Sequence, residues 1–191
     1  MILEIFGVVF GFIYLYLEIT QKKWMWIVGL LMAAVYAAVF FRQAVYASMG
    51  FQIYYMAVSI YGFLMWRKDK SRDGHVSTDA IFYRKLPLKV FLWSVLIYSV
   101  STAIMVLFLG SHTDDPMPWA DSSITVLSAI ATFWLSKSYR EQWLVWLAVN
   151  LLTVILAFRL GMYPTVLLYS VNAAASVYGF MHWGTKGTRI H

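Results

Sequence analysis

The sequence contains no cysteine, few charged residues and none of the common catalytic motifs. The absence of cysteine excludes disulfide scaffolds, thiolate metal sites and cysteine nucleophiles. No Walker loop, His-Glu-x2-His motif or Gly-x-Ser-x-Gly elbow occurs, and the four histidines fall in loops, at a span end and in the tail, where they are not expected to share a metal ion. We therefore expect a protein that is not an enzyme and that needs no cofactor or metal.

Charged residues make up only 13% of the 191 residues, whereas 61% are hydrophobic and 18% are aromatic. Soluble domains carry about 25% charged residues, so this composition predicts a protein embedded in the lipid bilayer. A helix crosses the bilayer with roughly 17 to 25 apolar residues. Seven stretches approach or reach that length, which predicts an all-α integral membrane protein with seven transmembrane helices: Leu3–Thr20, Trp24–Phe41, Tyr46–Trp66, Leu88–Leu109, Trp119–Ser136, Gln142–Phe158 and Tyr163–Trp183.

The basic residues are distributed unequally between the two ends of these spans. Of the fifteen Lys and Arg residues, only Arg42 and Arg159 fall on the side of the amino terminus. Short loops rich in Lys and Arg stay in the cytoplasm, so we predict a bacterial inner-membrane protein with its amino terminus outside and its carboxyl terminus in the cytoplasm. Because these residues lie in loops between apolar runs, the net charge of +6 predicts no nucleic-acid partner.

An internal repeat appears at an offset of 117 residues. Nine identities occur over positions 41–66, including Tyr61–Phe63 with Tyr178–Phe180, where about two are expected by chance. Both copies begin on an odd-numbered span, so they cross the membrane in the same direction and the fourth span is an inverting connector. We predict a 3+1+3, SWEET-like arrangement with a first three-helix repeat (1–66), a cytoplasmic linker (67–87), a connecting helix (88–109), a second repeat (119–183) and a cytoplasmic tail (184–191). Parallel repeats of this kind favour a transporter, with an ion channel or a non-transporting helical bundle as the alternatives.

Polar and aromatic side chains at membrane depth fall on matched faces of these helices. Gln52, Tyr55 and Ser59 share one face of the third span, and their mates at the 117-residue offset share a face of the seventh. Such residues can stack on and hydrogen-bond a cationic aromatic ring, although amides also join neighbouring helices. The predicted substrate-binding residues are Trp146, Asn150, Gln52, Tyr55, Tyr169, Asn172, Ser59 and Ser176.

Three residues at span ends are candidates for an entrance or gate: Trp119, Asp121 and Glu18. Asp121 also suits the first turn of a helix opened by Pro118, and Glu18 suits a surface ion pair with Lys22. No Lys or Arg lies in the middle of a span, which disfavours a phosphorylated substrate. The tryptophans at span ends are expected to anchor the protein at the membrane surface: Trp24, Trp66, Trp119, Trp143 and Trp183.

The sequence resembles the PnuC-type vitamin transporters over nearly its whole length. The similarity is carried by six segments: Leu3–Gly7, Val45–Ala47, Ile60–Trp66, Pro118–Ser122, Gln142–Asn150 and Tyr163–Thr165. The resemblance implies two three-helix bundles joined by a connecting helix. It also implies energy-independent uptake of an unphosphorylated vitamin, which a cytoplasmic kinase then traps by phosphorylation. A homo-oligomer is compatible with the sequence.

Family members carry nicotinamide riboside, thiamine or riboflavin, and the resemblance points in two directions. Trp146, Asn150 and Gln52 match positions that hold nicotinamide riboside in the family. However, Gly29–Met32 departs from the Gly-x-x-Asn pattern of that branch, and Tyr14–Glu18, Gln52–Tyr55 and Tyr163–Thr165 look more like the thiamine branch. We therefore predict nicotinamide riboside as the substrate, with thiamine as a close second.

Overall fold

A computed structural model of the chain describes residues 2–42, 46–72, 80–112 and 117–190. Within these residues the chain forms seven helices, one over each predicted span, and two short strands. The helices are α1 (Ile2–Ile19), α2 (Trp24–Arg42), α3 (Tyr46–Arg72), α4 (Leu88–His112), α5 (Pro118–Ser136), α6 (Gln142–Arg159) and α7 (Tyr163–Lys186), and the strands are β1 (Phe82–Tyr83) and β2 (Thr188–Arg189). Among the described residues, α4 and α6 are both long and apolar enough to cross a membrane by themselves.

Three helices extend beyond the apolar runs that predicted them. The helix α3 continues through the basic segment 67–72, and α4 and α7 end three residues later than expected, at His112 and Lys186. Apolarity marks the part of a helix that lies in lipid, whereas Lys and Arg are themselves good helix formers. The first part of the predicted cytoplasmic linker is therefore helical, and residues 73–79 of that linker lie outside the described residues.

The two strands form a small parallel sheet that the sequence did not predict. Thr188 N–H donates to the carbonyl of Ile81 (2.8 Å), and Ile190 N–H donates to the carbonyl of Tyr83 (2.9 Å). The buried side chain of Gln21 holds the backbone of Phe82 from the other side: Phe82 N–H donates to Gln21 Oε1 (2.6 Å), and Gln21 Nε2 donates to the Phe82 carbonyl (2.7 Å). The segment before α4 and the tail after α7 are thus tied to the α1–α2 turn.

The described residues fall into two compact units. The first comprises Met1–Arg84, Leu135–Ser138 and His182–His191, and the second comprises Lys85–Trp134 and Tyr139–Met181. A buried ion pair lies in the first unit, where Arg84 Nη1 and Nη2 donate to the two carboxylate oxygens of Asp69 at 2.7 and 2.8 Å. Paired in this way, the buried Asp69 carboxylate has both oxygens satisfied by the partly exposed Arg84.

The duplication found in the sequence recurs in the backbone of two turns. In the α1–α2 turn, Lys22 N–H donates to the Leu17 carbonyl (2.8 Å), and in the α5–α6 turn Tyr139 N–H donates to the Trp134 carbonyl (3.0 Å). Both turns contain a non-glycine residue in the left-handed region, namely Gln21 (φ 49°) and its mate at the 117-residue offset, Ser138 (φ 58°). The two copies therefore share their local geometry as well as their sequence.

Each copy also packs a tryptophan ring against a glycine. A Cβ atom added to Gly62 would lie 2.5 Å from the ring of Trp26 in the first unit, and one added to Gly179 would lie 2.6 Å from the ring of Trp143 in the second. These four residues are pairwise mates at the 117-residue offset. The glycines are needed because the indole rings occupy the space that a side chain would fill.

The membrane-surface position predicted for three tryptophans is wrong. Trp66, Trp143 and Trp183 are fully buried in the protein, whereas Trp24 and Trp119 are exposed as expected. In the first unit, the indole nitrogen of Trp66 donates to the Leu135 carbonyl (3.2 Å) and that of Trp183 donates to the Ile19 carbonyl (2.9 Å). The hydrogen bonds of Trp66 and Trp183 satisfy carbonyls at helix ends, which otherwise lack a partner, and they offset the cost of burying the two indole N–H groups.

The helix α4 differs from the others in its packing. In this helix, which is described along its whole length, no side chain is buried. Two side-chain hydrogen bonds within the second unit join it to α5: Trp134 Nε1 donates to Ser94 Oγ (3.1 Å), and the Tyr98 hydroxyl donates to Ser123 Oγ (3.1 Å). Its remaining surface is largely apolar and suits contact with lipid.

Candidate functional site

A polar cluster lies between α6 and α7 in the second unit. Asn150 is only 6% exposed, and its Nδ2 donates to Ser176 Oγ at 3.1 Å. The Ser176 hydroxyl in turn donates to the backbone carbonyl of Asn172 at 2.8 Å. The structure therefore brings together the side chains of two predicted site residues, Asn150 and Ser176, and the amide of Asn150 is held in a fixed orientation by its partner.

The aromatic component of this cluster is Trp146, one helical turn before Asn150 on α6. Its side chain is half-buried, and its indole nitrogen is buried without a hydrogen-bond partner among the described residues. A buried donor left unpaired costs about 1 to 3 kcal/mol, so its persistence is typical of a group that meets a ligand or water. Tyr169, the fifth predicted residue of this unit, is half-buried on α7.

The predicted residues of the first unit lie on α3. Ser59 is buried, whereas Gln52 and Tyr55 are half-buried. Ser59 approaches α2 at Gly29, where an added Cβ would lie 3.4 Å from the serine hydroxyl and 3.3 Å from the ring of Tyr14. Because Gly29 has no side chain, the Tyr14 ring of α1 and the Ser59 hydroxyl of α3 can both approach the backbone of α2 at this position.

Tyr14 was not among the predicted site residues, although a signal for it is present in the repeat. The mate of Gly29 at the 117-residue offset is Trp146, and the mate of Asn150 is Ala33. The first unit therefore has no large aromatic residue at this position of α2, and the ring of Tyr14 lies against the glycine instead. A comparison of mates that differ in size could have identified Tyr14.

The three candidate gate residues differ in their surroundings. Glu18, expected at the surface, is 4% exposed, so the predicted surface position is wrong. It lies one turn after Tyr14 on α1, and the carboxyl end of α1 is covered by the Trp183 indole. Asp121 and Trp119 are exposed in the first turn of α5, which begins at Pro118 as predicted.

The candidate substrate-binding residues of both units are uncharged, whereas the candidate gate residues Glu18 and Asp121 are carboxylates. Basic side chains are found instead near the polar turns, where Lys137 Nζ lies 4.8 Å from the ring centre of Tyr61 in the first unit. In the second unit the Arg140 guanidinium lies 3.8 Å from the ring centre of Phe180 and donates to its carbonyl (2.9 Å). Such a neutral, aromatic and amide-bearing site can stack on a ring and hydrogen-bond its substituents, but it offers no clamp for a phosphate.

The sequence profile of one transporter family, described as nicotinamide mononucleotide transporter, matches residues 1–185. The chain belongs to this family. It is therefore a membrane protein, and the family predicted from the sequence is confirmed. Family membership also agrees with the seven helices of the structure.

Individual members of this transporter family show the same relationship. The chain is 31% identical over 170 residues to the nicotinamide riboside transporter PnuC of Neisseria mucosa, covering 85% of this chain and 64% of that protein's length. It is 28% identical over 188 residues to the riboflavin/roseoflavin transporter RibM of Streptomyces davaonensis, covering 97% and 86%. A crystal structure of the vitamin B3 transporter PnuC aligns with a TM-score of 0.65 and 26% identity, covering 93% of this chain and 78% of that one.

Proposed function

We propose that this protein carries nicotinamide riboside across the bacterial inner membrane by facilitated diffusion. Trp146 stacks on the cationic pyridine ring, and Asn150, held by Ser176, hydrogen-bonds a polar substituent. A cation on the face of a Trp ring is attracted by about 0.5 to 2 kcal/mol, so stacking favours the charged ring of this vitamin. We propose as further substrate-binding residues Gln52, Tyr55 and Ser59 of the first repeat and Tyr169 and Asn172 of the second.

The observation that carries this proposal is the unpaired Trp146 indole nitrogen beside the ordered Asn150 amide. A stacking ring, a hydrogen-bond donor without a protein partner and a carboxamide lie on one helix within two turns. Relatives named for nicotinamide riboside and for vitamin B3 support the same class of substrate.

We further propose the 3+1+3 arrangement, in which α4 joins two parallel three-helix repeats that move relative to each other during transport. The repeated turn geometry and the repeated Trp–Gly packing support this arrangement. The excess of basic residues at one end supports an outside amino terminus and a cytoplasmic carboxyl terminus. Since the site has no energy-coupling group, net uptake requires removal of the substrate inside the cell, and a cytoplasmic kinase that phosphorylates it would supply this step.

Uptake into proteoliposomes tests the proposal. Labelled nicotinamide riboside should enter by a saturable route, and unlabelled nicotinamide riboside should compete with it. The 5′-phosphorylated form, nicotinamide mononucleotide, should neither enter nor compete, because the site residues are uncharged and cannot pair with its phosphate. Saturable entry of the mononucleotide, or none of the riboside, would show that the proposed substrate is wrong.

Riboflavin is the second candidate, because the Streptomyces relative is named for it and aligns with nearly all of this chain. An uncharged flavin ring would also stack on Trp146, without the cation–π contribution. Thiamine, the second substrate suggested by the sequence, is named for none of the three relatives described above. The same liposomes should therefore be tested with all three vitamins in direct competition.

A further inference from the structure

Gln142 is a second buried polar group on α6 that the proposed mechanism does not yet use. It is the first residue of the helix, its side chain is 0% exposed, and both its amide oxygen and its amide nitrogen lack a partner among the described residues. A carboxamide can donate two hydrogen bonds and accept two, so burying it with none formed is unfavourable. The repeat mate of Gln142 is Met25, which is equally buried and apolar, so the fold itself does not require an amide here.

Gln142 is aligned with the residues of the candidate site. Gln142, Trp146 and Asn150 follow one another at intervals of four residues along α6, so they share one broad face and successive side chains are about 6 Å apart along the axis. All three are at least half-buried, and Gln142 and Trp146 have hydrogen-bonding atoms that lack a partner within the described part of the chain. The face of α6 that carries Asn150 and Trp146 thus continues for one more turn, to Gln142 at the amino end of the helix.

We propose that Gln142 is a specificity-determining residue that pairs with a carboxamide, or an equivalent adjacent donor and acceptor, on the ring that Trp146 stacks. Two carboxamides form two reciprocal N–H···O=C hydrogen bonds, which satisfy one donor and the acceptor of the buried Gln142 amide. A carboxylate in the same place accepts one hydrogen bond and turns its second oxygen toward the Gln142 oxygen. Gln142 therefore selects an amide-bearing ring over the corresponding acid.

This inference rests on the proposed function, and its test separates the two. Proteoliposome uptake of labelled nicotinamide riboside is measured with nicotinic acid riboside as the competitor. The unmodified protein should prefer the amide to the acid. Gln142→Met should reduce this preference about tenfold, since a hydrogen bond of this kind contributes about 1 to 1.5 kcal/mol. Methionine is close to glutamine in size and is the residue that the chain itself has at the mate position.

Two further variants keep the result interpretable. Met25→Leu, at the mate position, should leave the amide preference unchanged. Gln142→Glu keeps the shape of the side chain but repels the acid, so it should raise the preference for the amide. The melting temperature of Gln142→Met in detergent should equal or exceed that of the unmodified protein, because an unpaired buried amide has been removed.

The outcomes are distinct. An unchanged preference in Gln142→Met, in a protein that takes up nicotinamide riboside, would overturn the role of Gln142 and leave the proposed function intact. A melting temperature lowered by several degrees with the preference retained would assign Gln142 to packing and would also overturn its role. No saturable uptake by the unmodified protein would overturn the proposed function itself.

Discussion

At the scale of single residues, the candidate site depends on how its polar groups are held. Asn150 is oriented by Ser176, whose hydroxyl is fixed by the backbone of its own helix. Two adjacent helices therefore determine the position of one amide, while the indole nitrogen of Trp146 has no protein partner among the described residues. An ordered amide beside an unsatisfied donor is preorganised for a ligand, because its side chain loses little further freedom on binding.

Asn150→Ala should reduce saturable uptake of nicotinamide riboside at low concentration by at least about tenfold, as expected for the loss of one or two hydrogen bonds. Alanine is the residue at the mate position, Ala33, so the helix should still form. The measurement is initial uptake into liposomes, with elution as a single species in detergent as the folding check. Ser170→Ala is the matched control, since this exposed hydroxyl on α7 bonds only its own helix. Uptake unchanged by Asn150→Ala would remove this residue from the site.

Gly179→Ala should destabilise the protein by about 1 to 3 kcal/mol, because the new methyl group would overlap the ring of Trp143. Unfolding in mixed detergent should show the loss. Gly110→Ala is the control, because no atom lies within 4 Å of its added Cβ and alanine favours a helix. Equal stability of the two variants would argue against close packing of the ring on the glycine.

At the scale of elements, apolar length predicted where each helix lies, and the polar faces were visible as regular spacings on α3, α6 and α7. The sequence could not predict contacts between distant segments that depend on single atoms. The Gln21 clamp on Phe82 joins residues 61 positions apart, and the β1–β2 sheet joins the predicted linker to the tail. For the same reason the membrane-surface position predicted for Trp66 and Trp183 was wrong, since each indole N–H donates to a carbonyl on another helix.

Arg84→Ala should destabilise the first unit by about 3 to 5 kcal/mol, because it leaves the buried Asp69 carboxylate without its cation. Arg84 also donates to the Lys137 carbonyl (3.2 Å), so the same change releases the end of α5. We expect earlier denaturant unfolding and faster proteolysis between α3 and α4. The neighbouring exposed residue offers the control Lys85→Ala, which should behave like the unmodified protein. Equal unfolding of both variants would contradict a stabilising role for the pair.

At the scale of the whole molecule, duplication has produced two copies with the same turns and different site chemistry. The first copy has Tyr14 and Gln52, whereas the second has Trp146 and Asn150. The two copies have therefore diverged at the candidate site positions while the geometry of their turns was kept.

The proposed orientation can be measured directly, because a chain without cysteine can be labelled at single introduced sites. Met162 lies in the exposed α6–α7 turn and Lys186 lies at the exposed end of α7, so the two variants are Met162→Cys and Lys186→Cys. A membrane-impermeant maleimide added to intact spheroplasts should label the first variant, and the second only after lysis, because loops rich in basic residues stay in the cytoplasm. The reverse pattern would mean that the carboxyl terminus faces outward.

Helix α4 buries no side chain and is joined to α5 by side-chain hydrogen bonds, which leaves many of its surface positions open to substitution. Ser94 and Tyr98 lie one turn apart on the same side of the helix, and their two hydrogen bonds are sufficient to fix its rotation about its own axis. Several of its other side chains, including Ser101, Thr102 and Met105, are half-buried, whereas many more are exposed and apolar. The exposed ones can be exchanged to match a thicker bilayer, a different lipid or a neighbouring protein. Substitutions among these exposed residues can therefore adapt α4 to a different lipid environment while the candidate site residues on α6 and α7 stay as they are.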